Sequence, residues 1–210
     1  MEAFRLILKY PELLSLSILF SMWILIFRPR MKVIPFGILA YTLSLIIEYE
    51  ALPVGEGWEM ILIAPVVESF SIFIFNITRD RRGGTSSGLG FAIMENASYF
   101  ASFASSPILL TVIIIRSLSD TMLHVTGGSI SSFSYSGKGR MRFGLLYAMG
   151  IHSLFNLTVM VFSIGIESYL ILATWFMAMS GIMAYIVSRE KTWRKSKVIL
   201  YKNPQKTGLK

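Results

Sequence analysis

The sequence predicts an all-α membrane protein, a polytopic bundle of about seven transmembrane helices. Hydrophobic residues make up 54% of the 210-residue chain and charged residues only 15%, and the mean hydropathy is +0.62. A soluble domain of this size buries only about two-thirds of its chain surface, too little to hide so much apolar area. The apolar residues also form runs of about 20, the length that one helix needs to cross a bilayer.

Clusters of glycine, proline, serine and arginine separate these runs and mark turns between helices. The first run is short and follows basic residues, as a signal peptide does. However, Arg28-Pro29-Arg30 follows it instead of a small-residue cleavage site, so we expect a retained helix. The fifth run is long and carries several polar groups. The expected spans are residues 12–27, 33–52, 58–77, 85–105, 107–134, 142–165 and 168–188.

Basic residues fix the expected orientation and the domain organisation. The loops after the first, third and fifth spans and the C-terminal tail hold 17 of the 20 Lys and Arg residues. The positive-inside rule then predicts an outside N-terminus and a cytoplasmic C-terminus. We expect one transmembrane domain over residues 1–188 and a basic cytoplasmic tail over 189–210, held near anionic lipid. This placement of charge favours a lipid bilayer over nucleic acid as the partner of the basic residues.

Titratable side chains inside the spans require an explanation, because each costs about 2.5–3.5 kcal/mol at the bilayer centre. At about 1.5 Å of rise per residue, four of them on four helices reach comparable depth. We therefore expect them to converge in the bundle. They are Glu68, Glu95, His124 and His152.

Helical spacing suggests local partners for these groups. Arg116, Asp120 and His124 follow at intervals of four and share one face of the fifth helix, so Arg116 and Asp120 are expected mainly to neutralise each other. Asn156 has the same spacing from His152. Asn96 and Tyr99 accompany Glu95 and could form a structural clamp with it. The glycines of residues 83–90 should permit close helix approach just before Glu95.

Carboxylates and imidazoles in a pocket of low dielectric suit peptide-bond hydrolysis without a covalent nucleophile. A buried carboxylate can act as general base on water, and His or Asn donors can stabilise an oxyanion. The same Glu and His residues could instead bind zinc, and the spacing leaves both readings open. The chain has no cysteine, which excludes thiolate ligands and cysteine nucleophiles.

Four segments, in order, resemble the PrsW family of intramembrane peptidases, within the wider CAAX-protease superfamily. Residues 64–69 (APVVES) are similar to the family's A-P-x-x-E-E, and residues 88–99 (GLGFAIMENASY) to its G-x-G-F-x-x-x-E-N-x-x-Y. His124 with Gly127 is similar to H-x-x-x-G, and residues 151–156 (IHSLFN) match H-x-x-x-N. The resemblance covers about residues 58–160, the expected catalytic core.

The resemblance implies a role for each matching residue. Glu68 would activate water, and His124 and Glu95 would help to bind or position it. His152 and Asn156 would stabilise the oxyanion. The implied substrate is a membrane-anchored protein or peptide, the implied location is the cell membrane, and no cofactor is required, with zinc as the alternative.

The sequence departs from the family at one point. The family's first motif is usually E-E-x-x-K, whereas Ser69 replaces the second Glu and Ile72 replaces the Lys. Joint loss of a buried ion pair is close to neutral for stability. If the second Glu is chemically required, the chain would instead be an inactive homologue or a non-catalytic membrane scaffold, like the scaffold subunit of gamma-secretase. A proton- or ion-coupled carrier is a third class, disfavoured because the sequence shows no internal repeat.

Overall fold

The computed structural model describes residues 21–51, 57–102, 109–136, 143–161 and 167–202, and all the regular elements among them are helical. Residues 21–27 form the described part of α1. A 3₁₀ turn, Ser132–Ser136, follows α5. The remaining helices are α2 (Ile34–Ala51), α3 (Gly57–Ile74), α4 (Arg81–Ser102), α5 (Leu109–Ser131), α6 (Gly144–Val161) and α7 (Glu167–Lys202).

The seven helices correspond in order to the seven predicted spans, and most ends differ by only a few residues. Two differences need an explanation. Helix α4 begins at Arg81, four residues earlier than predicted. Helix α7 continues through residues 189–202, which had been assigned to the tail. The reason is local: this segment is rich in Lys, Arg and Glu, which favour helix, and the first helix-breaking residue beyond it is Pro204.

Polar residues are concentrated inside the bundle and large apolar residues on its surface. His124 is 2% exposed and Thr121 is fully buried, whereas Leu25 is 74% and Met177 64% exposed. Water would penalise this arrangement, and hydrocarbon favours it, because only buried polar groups find partners in lipid. Two described segments, Gly144–Val161 and Leu170–Val187, are long and apolar enough to span a bilayer by length and composition alone.

Helix α4 lies at the centre of the bundle, packed against α2 on one side and α5 on the other. The approach is close because glycines face backbone across both contacts. A Cβ on Gly88 would overlap the carbonyl oxygen of His124 on α5, and a Cβ on Gly90 would overlap that of Ile34 on α2. The expectation that the glycines of this segment bring helices close together just before Glu95 is confirmed.

Three connections lie at the same end of the bundle. Arg30, between α1 and α2, pairs with Asp80, between α3 and α4, through N···O distances of 2.7 and 2.9 Å. The guanidinium of Arg82 donates to the backbone carbonyl of Arg28. After α5, the hydroxyl of Tyr135 donates to the carbonyl of Phe73 near the end of α3. The described ends of the first, third and fifth spans that are predicted to be cytoplasmic are therefore neighbours.

Asp80 also explains why α4 begins where it does. Its Oδ1 accepts from the backbone N–H of Gly83 at 2.8 Å, the hydrogen bond of an N-cap residue. Burial raises the pKa of Asp80, but the hydrogen bonds from Gly83, Arg30 and Thr78 outweigh it and hold the pKa below its ordinary value. Asp80 thus caps the start of α4 and, as a charged carboxylate, pairs with Arg30.

The lowered pKa of Asp80 predicts an acid-sensitive contribution to stability. The contribution is complete above the pKa of Asp in the unfolded chain, about 4, and is lost as pH falls through the folded pKa. Asp80→Asn keeps a capping side chain but loses the charge, so it should lower stability by up to about 1 kcal/mol at neutral pH and less in acid. Melting temperatures of both proteins between pH 3 and 7 would check this; a difference that stays constant over that range would contradict it.

Candidate active site

Helices α3 to α6 each contribute to one buried cluster, and Glu68, Glu95, His124 and His152 all belong to it. Glu68 comes from α3, one turn after Pro65, which interrupts the backbone hydrogen-bond ladder of that helix. The convergence expected from their equal depth is present, since every member lies within ion-pairing distance of another.

His124 lies at the centre of the cluster. Its Nε2 is hydrogen-bonded to Oε2 of Glu95 at 2.6 Å. The same nitrogen lies 3.4 Å from Oδ1 of Asp120 and 3.9 Å from Oε2 of Glu68. Three carboxyl groups on three helices therefore face one imidazole edge, and Glu95 is the group that makes the short bond.

Glu68 and His152 form the other half of the cluster. His152 Nε2 lies 3.4 Å from Glu68 Oε2, and the two imidazole rings meet edge to face with centroids 5.0 Å apart. Glu68 Oε2 is buried and has no hydrogen-bond partner among the residues that the structure describes. A buried acceptor of this kind carries a desolvation penalty unless a further group binds it, so this oxygen is able to accept a hydrogen bond from a ligand or reactant.

Asp120 is closer to the site than its sequence suggested. Asn96 Nδ2 donates to Asp120 Oδ2 at 3.2 Å and to the carbonyl of Ala92 at 2.8 Å, which turns the other carboxyl oxygen of Asp120 toward His124. The Arg116 side chain lies outside the described residues, so its predicted pairing with Asp120 stays a prediction. Asn96 contacts Asp120, and its supporting role, like that of half-buried Tyr99, stays a prediction.

Asn156 occupies a different position from the one its motif suggested. Its Nδ2 donates to the backbone carbonyl of Met60 at 2.8 Å and so ties α6 to α3. Met60 precedes Glu68 by eight residues, about 12 Å along the helix axis. This placement favours a structural role for Asn156 outside the cluster, and its role as oxyanion donor stays a prediction that the geometry does not favour.

The two positions that depart from the family motif are accommodated in the interior. Ser69 and Ile72 are both buried, and Ile72 packs in an apolar cluster with Ala40, Tyr41 and Phe91. An ammonium at position 72 would need a partner there, and a carboxylate at position 69 would supply one. Their joint replacement leaves no unpaired charge, consistent with an exchange that is close to neutral for stability.

Phe91 is a site residue that sequence reasoning missed. Its ring is fully buried and lies against the His124 imidazole with centroids 4.6 Å apart, and Tyr41 supports it edge-on at 5.3 Å. Phe91 precedes Glu95 by one helical turn, so the spacing of four that linked Asp120 to His124 could have identified it. The contact with the Phe91 ring restricts the orientation of the His124 imidazole.

The donor set fits a divalent metal. Glu68, His124 and His152 each present a ligand atom within 4.8 Å of the others, and Glu95, Asp120 and His124 form a second such set. Tetrahedral zinc with bonds of 2.0–2.1 Å separates its ligand atoms by about 3.3 Å, close to the 3.4 Å between His152 and Glu68. Three carboxyl groups beside two imidazoles also need positive charge or protons for balance.

Replacing Asp120 by Asn should weaken catalysis without removing the site. Asn keeps the shape but loses the charge facing His124, and partners of this kind typically contribute about 10–100-fold to activity. We expect a fall of that size in the kcat/KM of the purified protein. Ser117→Ala is the matched control, because its buried hydroxyl on the same helix has no hydrogen-bond partner among the described residues. Equal activity of the Asp120 and Ser117 variants would contradict this role.

Comparison with known families gives one match. The model of a family described as PrsW family intramembrane metalloprotease matches residues 83–188, half of the chain. The matched region contains Glu95, Asp120, His124 and His152, and Glu68 precedes it. No curated protein and no solved structure matches the chain.

Proposed function

The chain belongs to the PrsW family of intramembrane metalloproteases and is therefore a protease, and we propose that it hydrolyses a peptide bond of a membrane-associated protein with water activated by Glu68. The observation that carries this proposal is the unpartnered Oε2 of Glu68. It lies in the interior, 3.4 Å from one imidazole and 3.9 Å from the other. A water bound there would share its contacts with a base and two histidines.

Glu68 is the proposed general base. It takes one proton from the water as the water oxygen attacks the peptide carbonyl carbon, and the carbonyl electron pair moves onto oxygen. When that pair returns, the C–N bond breaks and the nitrogen takes the proton from Glu68. The products are a carboxylic acid and an amine, and no bond to the protein forms.

The two histidines have separate proposed tasks. His152, beside Glu68, donates to the oxyanion, an interaction that is usually the largest electrostatic term in acyl transfer. His124 helps to bind the water. Its ring is held by the bond to Glu95, by the contact with Asp120 and by the face of Phe91, so its orientation is fixed before substrate arrives.

The family description implies a metal, and metal-bound water is the alternative to water activated by Glu68 alone. Glu68, His124 and His152 are the residues that would hold the metal, because they present three ligand atoms close together. When bound, a divalent ion would polarise the carbonyl and make water more acidic. Glu95 and Asp120 face the same nitrogen of His124 as Glu68 does, so they would lie beside the ion and help to balance its charge.

We place these groups within a bundle of seven membrane spans, in the cell membrane, with an outside N-terminus and a cytoplasmic C-terminus. The proximity of the three basic connections at one end supports this topology, because the positive-inside rule assigns all of them to the cytoplasm. The exposed apolar surface supports contact with lipid. The proposed substrate is a protein anchored in the same bilayer.

Cleavage by the purified protein tests the proposed function. Wild-type protein in liposomes should cut membrane-anchored peptides, with the products identified by mass spectrometry. Metal content measured on the same preparation, and cleavage with and without a chelator, would separate water activated by Glu68 alone from metal-assisted hydrolysis. Failure to cut any member of a varied set of anchored peptides, with a partner co-purifying instead, would favour a scaffold.

A further inference from the structure

A cavity lies between α1, α4, α5 and α7, apart from the catalytic cluster. Its volume is about 930 Å³. Met122 of α5 lines it, whereas His124 of the same helix belongs to the cluster. Residues two positions apart on a helix, such as Met122 and His124, point in directions about 200° apart. The cavity and the cluster therefore lie on opposite faces of α5. We call this cavity the basic groove.

One end of the basic groove is cationic. Arg28, Arg81 and Arg82 line it there. Arg82 uses Nε and one terminal nitrogen to bond the carbonyl of Arg28, at 3.1 and 2.7 Å. These contacts take two of the five N–H donors of the guanidinium, and the other three retain the fork geometry that suits phosphate.

The rest of the basic groove is apolar and long. Ile26 and Phe27 of α1 face Phe176, Met183 and Val187 of α7. Phe176 and Val187 are eleven residues apart, which corresponds to about 16 Å along the helix. The wall therefore runs from the basic end toward the middle of the bundle, over a distance comparable to half the hydrocarbon thickness of a bilayer.

A buried polar group, the indole N–H of Trp23, lies in the apolar part of the basic groove, beside Phe27 and Phe176. Trp23 is only 3% exposed and lines the groove. Its ring is fixed by stacking on Phe27 and by a tilted contact with Phe176. The indole Nε1–H has no acceptor among the residues that the structure describes, although buried indole N–H groups usually have one. An acceptor supplied by a ligand in the groove would satisfy it.

We propose that the basic groove binds one anionic phospholipid. The phosphate lies among the three arginines, an acyl chain lies along the apolar wall, and an oxygen of the lipid accepts from Trp23. Charge complementarity selects this occupant, because basic pockets between membrane helices bind anionic head groups. The basic end lies beside the Arg30–Asp80 connection, on the side proposed as cytoplasmic, so the lipid belongs to that leaflet.

Native mass spectrometry of the full chain tests this site. Protein in detergent is titrated with phosphatidylglycerol, with phosphatidylcholine of the same acyl chains, or with inorganic phosphate. We expect one phosphatidylglycerol to be retained in preference to phosphatidylcholine. Arg28→Gln with Arg81→Gln should weaken retention about 30-fold, since each charge near an anionic surface contributes roughly fivefold. Lys32→Gln, an exposed cation at the same end that does not line the groove, is the control and should leave retention unchanged.

A steric variant keeps the test decisive if the arginine variant fails to fold. Ala184 is exposed and lines the groove, so Ala184→Trp should fill it and abolish retention, whereas Tyr185→Trp on the outer surface should not. Equal retention of the two lipids by wild-type protein would overturn the proposal, as would unchanged retention in Ala184→Trp. Retention of inorganic phosphate equal to retention of the lipid would also overturn the proposal, because the site would then recognise phosphate alone.

Discussion

Glu68→Gln should reduce cleavage of a membrane-anchored peptide by about 1,000-fold, the middle of the range for loss of a general base. Glutamine has the same shape as glutamate but cannot take a proton from water. The cluster should still assemble, because no hydrogen bond is lost at Oε2 of Glu68. This oxygen is the one nearest both histidines, and it accepts no hydrogen bond from the residues that the structure describes. The loss should therefore appear in kcat with little change in melting temperature.

The measurement is a kinetic comparison of purified proteins in liposomes of the same composition. Glu50→Gln is the matched control, because Glu50 is an exposed glutamate near the end of α2, away from the cluster. It should cleave like the wild type. Activity of Glu68→Gln within a few-fold of wild type would show that another group activates the water.

Gly88→Ala should separate Glu95 from His124 without replacing a reacting group. The added methyl group would overlap the backbone carbonyl of His124, and backbone cannot move aside as a flexible side chain can. We expect α4 and α5 to shift apart at a cost of about 1–3 kcal/mol. The bond between Glu95 and His124 crosses this contact, and a displacement of about 1 Å at a catalytic group can reduce the rate about 100-fold.

Gly150→Ala on α6 is the control, because nothing lies within 4 Å of a Cβ at that position. Alanine favours helix over glycine by about 1 kcal/mol, so this variant should be as stable as wild type or slightly more stable. Melting temperature and cleavage rate, measured for both variants, check the prediction. Wild-type activity in Gly88→Ala would mean that the site tolerates a wider separation of α4 and α5.

The helices could be predicted because each depends on local sequence. Apolar runs and the turn residues between them place seven helices in order. The sequence predicts the start of α4 at residue 85, whereas the cap that Asp80 provides lets the helix begin at Arg81. Helix α7 extends past the predicted span through residues 189–202, because Lys, Arg and Glu favour helix, and the cytoplasmic placement of these residues stays a prediction.

The site could be predicted only in part. Depth along each helix placed Glu68, Glu95, His124 and His152 at one level, but depth carries no information about which faces meet. Asp120 shows the limit of local spacing, because Arg116 and His124 both lie four residues away and the pattern cannot choose between them. The contact that directs Asp120 comes from Asn96, on another helix.

Asn156 shows the same limit over a longer distance. The motif paired it with His152, one turn away on α6. Its partner in the structure is the carbonyl of Met60, which is 96 positions away in the chain. No periodicity within one helix contains this contact, because it depends on how α3 and α6 pack.

The central claim is that water attacks the peptide bond directly, with the catalytic groups supplied by the cluster of Glu68 and the two histidines. The most direct test is to follow cleavage of a membrane-anchored peptide in H₂¹⁸O while recording the intact mass of the purified enzyme during turnover. We predict that the new C-terminus of the product carries one ¹⁸O and that the enzyme mass never changes. A peptide fragment covalently attached to the enzyme during turnover, or the absence of any cleavage, would contradict the account.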